Sequence, residues 1–366
     1  MEVKAIIDLY EKRKEEKEGK LLDFFKGSGR NFLVMQTPPG DIWGRCNTID
    51  EVYNNNIRYF ETCLNNQHTD VLPYLEPWIG VGIFANAFGC EYLWREDNAP
   101  DTHYKYFKIE DVKGLQKPDI KKAPLMRMVI DCINNFKEKT QGKLPIVYTD
   151  TQSPFDTATL VLDASEFFSA CYTDEETVMQ FMQTITDLTI EFSKEQMQAI
   201  GSDCLVKPGH IFPASTKLRG IALSDDNIAV ASPDINERVA MPFNQQIADV
   251  FGGLAVHSCG NWSHTMPIYK NLQGLYMIDC ALSLECDPNP NAPALVREGL
   301  RGSDVIAKVR VGKDMANVEK ILNDLIVPDL HTIVQIEYEE GIAGENYKRI
   351  NGMLEELYAR KEVLVG

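Results

Sequence analysis

The sequence predicts an α/β fold, a (β/α)8 barrel, and three observations carry that expectation. Eight short runs rich in Val, Ile and Leu recur along the chain, at 31–35, 70–75, 144–149, 220–224, 253–258, 274–279, 304–311 and 331–337. Nearly continuous apolar runs mark parallel strands buried on both faces. Most are followed by a polar loop and a helical stretch, the order of repeated βα units, with no Gly/Ser linker or internal repeat between them. An open doubly wound sheet is the competing arrangement. At 366 residues the chain exceeds a bare barrel of about 250, and such barrels accept insertions within one domain. We expect residues 1–28 to form an N-terminal helical extension and 29–366 the barrel.

The helices have readable ends. Residues 3–25 are helical and charged, placed to cover the bottom of the barrel or to contact a second copy. Thr173 with Glu176 has the spacing of a capping box before a long amphipathic run that ends near Gly201. Ser232 followed by Pro233 reads as an N-cap with proline at the first helical position, for a helix running to about Phe251 and stopped by Gly252 and Gly253. Residues 344–361 form the closing helix. The stretch 76–124 has weak periodicity and should be the longest excursion over the barrel. A second irregular stretch covers 207–219.

Composition narrows the function classes. The net formal charge of −17 argues against a nucleic-acid-binding surface, which needs clustered Lys and Arg. No run of 18 apolar residues is present, so no membrane span is expected. The first twenty residues lack the apolar region and cleavage site of a secretory signal. The nine cysteines follow no framework and read as reduced thiols, consistent with a cytoplasmic protein. A small-molecule substrate is the expectation that remains.

Active sites of such barrels lie at the C-terminal ends of the strands. The fifth run ends in Val256-His257-Ser258-Cys259-Gly260-Asn261. Residues two apart in a strand share a face, so His257 and Cys259 would project together and could form half of a zinc site. Ordinary packing of a buried thiol and a core histidine is the plainer alternative. The fourth run ends in Ser224-Asp225-Asp226-Asn227, where Asp225 and Asp226 are candidate catalytic carboxylates; a turn cap is the alternative. After the third run, the loop from Asp150 to Asp156 includes Gln152 and Phe155 and suits substrate positioning, or helix capping by Ser153 or Asp156. Gln36, Tyr74 and Glu76 end the first two runs, and Asp279 ends the sixth. Lys308 and Arg310 lie in the seventh, and Glu337 and Glu339 end the eighth. His210, in a Pro-Gly-His turn, reads as a surface histidine or as an acid/base group. Cys286 could reach a metal if its loop folds inward.

Taken together, the Gln152–Ala158 segment, the Tyr172-Thr173-Asp174 helix start, Ser224–Asn227, Ser232-Pro233, Pro242-Phe243 and Val256–Asn261 resemble the superfamily of uroporphyrinogen decarboxylases and corrinoid-linked methyltransferases. The resemblance runs from about residue 70 onward and is clearest over 144–261. It implies the (β/α)8 barrel, a cleft at the strand C-termini and a homodimer. The decarboxylase branch has an arginine-rich N-terminal signature, where this chain reads Gln36-Thr37-Pro38-Pro39-Gly40-Asp41-Ile42-Trp43-Gly44-Arg45 and offers only Arg45. The family's catalytic Asp has Glu76 as its nearest counterpart, and its active-site Tyr falls on Leu160. The methyltransferase branch implies a zinc-bound His-x-Cys pair, matched by His257 and Cys259, and a later Cys. The later Cys is replaced by the stretch Gln335-Ile336-Glu337-Tyr338-Glu339-Glu340, so Glu337 or Glu339 would complete the metal set.

The resulting expectation is a metal-dependent methyltransferase-like enzyme. It would hold Zn2+ through His257, Cys259 and one of Glu337, Glu339 or Cys286. The methyl group would come from a corrinoid on a partner protein, because the chain contains no recognisable cobalamin-binding domain. Asp225, Asp226, His210 and Glu76 are the candidate catalytic groups. Gln36, Arg45, Tyr74, Gln152, Phe155, Asn261 and Asp279 are the candidate substrate contacts. The rival enzyme is a decarboxylase holding carboxylates with Arg45, Arg95 and Arg310; a non-catalytic ligand-binding barrel is the third reading.

Overall fold

The computed structural model describes residues 1–96 and 98–365. Six strands form one parallel sheet: β1 (Phe32–Thr37), β2 (Ile221–Ser224), β3 (Leu254–His257), β4 (Leu275–Ala281), β5 (Ile306–Gly312) and β6 (Thr332–Glu337). Their order is β1-β6-β5-β4-β3-β2. From β2 to β6 each strand lies beside its predecessor, and the last returns to the first. Right-handed crossovers with outer helices give this order naturally.

Two of the eight expected strands do not form ladders. Residues 70–75 and 144–149 meet their neighbours through single parallel bridges, Leu75 to Ile146 and Ile146 to Leu205. Proline is the reason. Pro73 and Pro145 each remove a backbone donor within the run. Asp70 adds a second interruption. Its N–H donates to the Val34 carbonyl at 2.8 Å, while its Oδ2 accepts the Val34 N–H, so a side chain replaces a backbone acceptor beside β1. A further bridge joins Gln152 to Ser224. The expected eight-strand ladder is therefore a six-strand ladder with single bridges on the remaining side.

The helices around the sheet include α1 (Val3–Phe25), α2 (Ile49–Asn65), α3 (Pro124–Lys139), α4 (Glu175–Ile200), α5 (Met241–Phe251), α6 (Pro293–Leu300), α7 (Met315–Leu325) and α8 (Ala343–Val365). The N-cap of α4 is Asp174, not Thr173, which ends the preceding helix Ala164–Thr173. The Asp174 carboxylate accepts the Thr177 N–H at 3.3 Å and adds a charge that the helix N-terminus favours. Gly201, at φ 80°, ends α4 as expected. Ser232 caps a turn that opens on Pro233, continues through a π-helical stretch at Asn236–Ala240 and becomes α5, which Gly252 stops. The 76–124 excursion holds a short helix, Ile83–Ala87, and an antiparallel ribbon of Glu91–Leu93 with Asp101–His103. No helix among the described residues is long and apolar enough to cross a membrane. All nine cysteines are free thiols.

The period-two alternation of the strands decides where chemistry can sit. Val34, Leu223, Val256, Ile278, Val309 and Val334 belong to the large core shared with the helices. The neighbouring set, Leu33, Ala222, Ala255, Met277, Ile306 and Ile333, forms a second cluster with Leu21 and Phe24 of α1. Thus the N-terminal helix packs on the inner apolar layer, as its sequence suggested. Two residues further along each strand, on the same face, stand Met35, Ser224, His257, Asp279, Lys308 and Gln335. Apolar side chains line one end of this face, and polar ones line the other. Phe24 is 1 % exposed and holds α1 to the inner layer. Replacing Phe24 with Ala should lower stability by about 3–5 kcal/mol, read from the denaturant midpoint.

Candidate active site

The register places Ser224 beside His257, His257 beside Asp279, and Asp279 beside Lys308 on adjacent strands. Asp279 is the hub. It is fully buried, and its carboxylate meets His257 Nδ1 at 2.7 Å, Lys308 Nζ at 2.6 Å and Arg310 Nε at 3.1 Å. Burial alone would raise its pKa, but the two cations Arg310 and Lys308 outweigh it and hold the carboxyl well below the usual range. Burial pushes Lys308 down from its ordinary value, opposed by Asp279. A buried carboxylate with these partners stays charged and fixes what it touches.

What it fixes is the His257 ring. With Nδ1 bound to Asp279, Nε2 faces Cys259 Sγ at 3.4 Å and Asp226 Oδ1 at 3.9 Å. One ligand atom from each of Asp226, His257 and Cys259 lies within 4.8 Å of the others. Asp226 is half exposed and is positioned through its backbone. The buried Asp156 carboxylate accepts the N–H groups of Asp226 and Asn227 at 2.7 and 2.8 Å. Asp226 Oδ1 in turn accepts the Cys259 N–H at 2.6 Å. Asp287 holds the next N–H, of Gly260, at 2.8 Å. Cys259 is open to solvent, yet the protein mass around it, followed by the Asp226 charge, pushes its thiol up to about 12. A bound divalent cation would reverse that direction.

A second cluster adjoins the first. His210 Nδ1 lies 3.1 Å from Glu76 Oε1, its Nε2 lies 3.8 Å from Asp150 Oδ1, and its ring centroid is 6.0 Å from that of His257. Glu76 also accepts the Asp150 N–H, and Asp150 accepts from Gln152 and Ser224. Burial pushes His210 down, but Asp150 and Glu76 outweigh it and raise the imidazole to about 9. Burial raises Glu76, opposed by His210. The turn that delivers His210 needs glycine before it. Gly209 has φ 101°, and a Cβ there would come within 2.8 Å of Val147. His210 itself sits at φ 51°, a region non-glycine residues rarely adopt.

Several expected site residues lie elsewhere. Asp225 is completely buried and fully engaged by Ser153, Asn244 and Tyr269, so it anchors the end of β2 and does not face the mouth. Burial raises it to about 6. Phe155 is sealed in the core against Phe167 and Phe168 and touches no cleft. Asp279 positions His257 and lies beneath the surface. Asn261 is spent on its own turn, accepting from Ser263. Gln152 is buried on Asp150. Among the described residues, the donor cluster takes Asp226 as its third member, not Glu337, Glu339 or Cys286. Arg45 and Arg95 pair with Glu51 and Asp101 at the surface, and Arg310 binds Asp279 through Nε while its Nη2 is buried without a partner. His210 is nearly buried, not a surface histidine. Gln36, Tyr74, Glu76 and His210 do line one pocket, of about 110 Å3. Lys308, noted only as a residue of the seventh run, pairs with Asp279, and Asp156, expected at most to cap a helix, holds the backbone of Asp226. The register of Lys308 beside Asp279 was recoverable from strand alternation, whereas the Asp156 contact across two loops was not.

The model of the uroporphyrinogen decarboxylase family matches residues 79–207. That segment ends before His210 and contains none of the three clustered donors. No curated protein sequence matches the chain. Among solved structures, a methyltransferase from Methanosarcina mazei aligns with a TM-score of 0.60 at 14% identity, over 92% of this chain and 98% of that one. The family match is confined to that segment, and the structural neighbour shares the fold over most of both chains. At this identity the structural likeness speaks for the fold.

Two outcomes test the electrostatics. Asp279→Asn leaves the Lys308 charge buried without its counter-ion and should cost about 3–5 kcal/mol of stability, most of it restored by adding Lys308→Met. Denaturant titrations of the single and double variants measure this. His210 has a folded pKa near 9, above its unfolded value of about 6.5. Its stabilising contribution is complete below pH 6.5 and is lost as pH rises through 9. The stability of His210→Gln should therefore fall less than that of the parent across this window.

Proposed function

We propose that the chain is a metal-dependent methyltransferase that holds Zn2+ on Asp226, His257 and Cys259 and methylates a thiol. The observation that supports this reading is the convergence of three chemically suitable donors, one of them oriented by a buried carboxylate. Zinc bonds of about 2.0–2.3 Å in a tetrahedral set put ligand atoms roughly 3.3–3.8 Å apart. The 3.4 and 3.9 Å separations around His257 Nε2 are close to that spacing. Three protein donors leave one tetrahedral position for substrate, as in catalytic zinc sites. Bound there, zinc would act as a Lewis acid and lower the pKa of an incoming thiol.

The chain's own groups do the rest. Asp279 fixes the His257 tautomer, with Nδ1 as donor and Nε2 as the free lone pair. Arg310 and Lys308 keep Asp279 ionised so that it can do this. The Glu76–His210 pair holds a proton beside the donors. A corrinoid on a separate protein would supply the methyl group and keep its bonding pair, while the substrate thiol would release its proton to solvent and take the methyl group on sulfur. The methyltransferase likeness of the fold is consistent with this chemistry.

Metal analysis of purified protein should find about one zinc per chain, and His257→Ala or Cys259→Ala should lose it. Methylcobalamin with a small thiol should be demethylated by the parent and not by these variants. Zinc-free protein that remains metal-free after incubation with zinc would sink the reading. Asp279→Asn should weaken zinc about 10–100-fold.

A further inference from the structure

The pocket beside the donor cluster has a one-sided chemistry. Its wall includes Gln36, Asp41, Trp43, Tyr59, Tyr74 and Glu76, with His210 on the side nearest His257. Among the described residues, no Lys or Arg lines it. The one basic group, His210, is already held by Glu76 and lies near Asp150. Gln36 is 2 % exposed, and its amide orientation is fixed because Nε2 donates to the Ala343 carbonyl at 3.2 Å. Its Oε1 is left buried with no donor. An acceptor in that state costs stability unless a ligand satisfies it. Asp41, exposed at the pocket, accepts only the Trp43 backbone N–H, at 2.9 Å. Trp43 is 41 % exposed, with its ring 6.0 Å from that of His210 and the rest of its surface open.

We propose that this pocket binds a small organic ammonium ion carrying at least one N–H and a short alkyl body. A small shift of the pocket-lining Gln36 amide lets the ligand N–H supply the donor that its Oε1 lacks. The charge is favoured by Asp41 and by Glu76 with Asp150, two carboxylates against the one imidazolium of His210. The alkyl body fills a cavity of about 110 Å3, room for several water-sized groups. An anionic ligand would meet two carboxylates and find no Arg or Lys to hold it. A neutral ligand would satisfy Gln36 but gain nothing from the charge. This goes beyond the proposed reaction, for which the pocket would be a substrate arm reaching His257 past His210, and ammonium binding itself needs no metal.

The test uses the full chain stripped of metal by chelation, so that its result is separate from that of the zinc reading. Calorimetry at pH 7.5 compares isobutylammonium, isoamyl alcohol and isovalerate, which differ mainly in charge. Isobutylammonium should bind about tenfold or more tighter than the alcohol, with isovalerate weakest. Asp41→Asn should weaken the ammonium about threefold or more and leave the alcohol unchanged. Gln36→Leu should weaken both N–H and O–H donors, and a thermal melt of this variant checks that it folds. Equal affinity for all three ligands, preference for isovalerate, no binding of any ligand, or an unchanged ammonium affinity in Asp41→Asn would overturn the proposal.

Discussion

The Asp279 carboxylate is the constraint on which the rest of the site depends. It has no contact with solvent, and it is met by an imidazole from the strand on one side and by an ammonium and a guanidinium from the strand on the other. A buried carboxylate without partners would take up a proton and become a poor acceptor. With Lys308 and Arg310 beside it, the carboxylate remains charged, and a charged acceptor aims the His257 ring. The lone pair that emerges at Nε2 is therefore set from beneath the site, before any ligand arrives. Such buried ionic clusters contribute little to net stability and much to geometry.

The sheet converts sequence spacing into this arrangement. Ser224, His257, Asp279 and Lys308 come from segments up to 84 positions apart, yet they are register neighbours. They share a face because each stands two residues beyond an apolar residue that packs with the N-terminal helix. The same alternation that buries Leu33, Ala255 and Met277 at one end exposes donors at the other.

Much of this could be read from the residues. The α/β order, the end of α4 at Gly201, the Ser232-Pro233 helix start and the His257/Cys259 pairing all depend on local chemistry, and local chemistry survives folding. The two missing ladders could also have been anticipated, since Pro73 and Pro145 stand inside the runs concerned. The third member of the donor cluster was harder. The resemblance pointed to the end of the last strand, at Glu337 and Glu339. The structure instead turns Asp226 inward through backbone contacts to Asp156, a long-range cap that no spacing rule reveals. Asp225 and Asp226 are neighbours in sequence, and only their different partners separate an anchor from a ligand. Phe155 failed as a substrate contact for a similar reason: loop position suggested exposure, and two aromatic rings packed against it decided otherwise.

The prolines in the two unladdered runs divide the molecule mechanically. His257 ends a strand in the stiff arc that is paired on both sides, and Cys259 follows it by two residues. Pro73 and its neighbours, by contrast, form part of the pocket wall, where single bridges replace continuous pairing. Fewer cross-strand bonds mean a lower free energy for local opening. Local opening is therefore expected first on the loosely sewn side, while the laddered side keeps His257 and Asp279 in register.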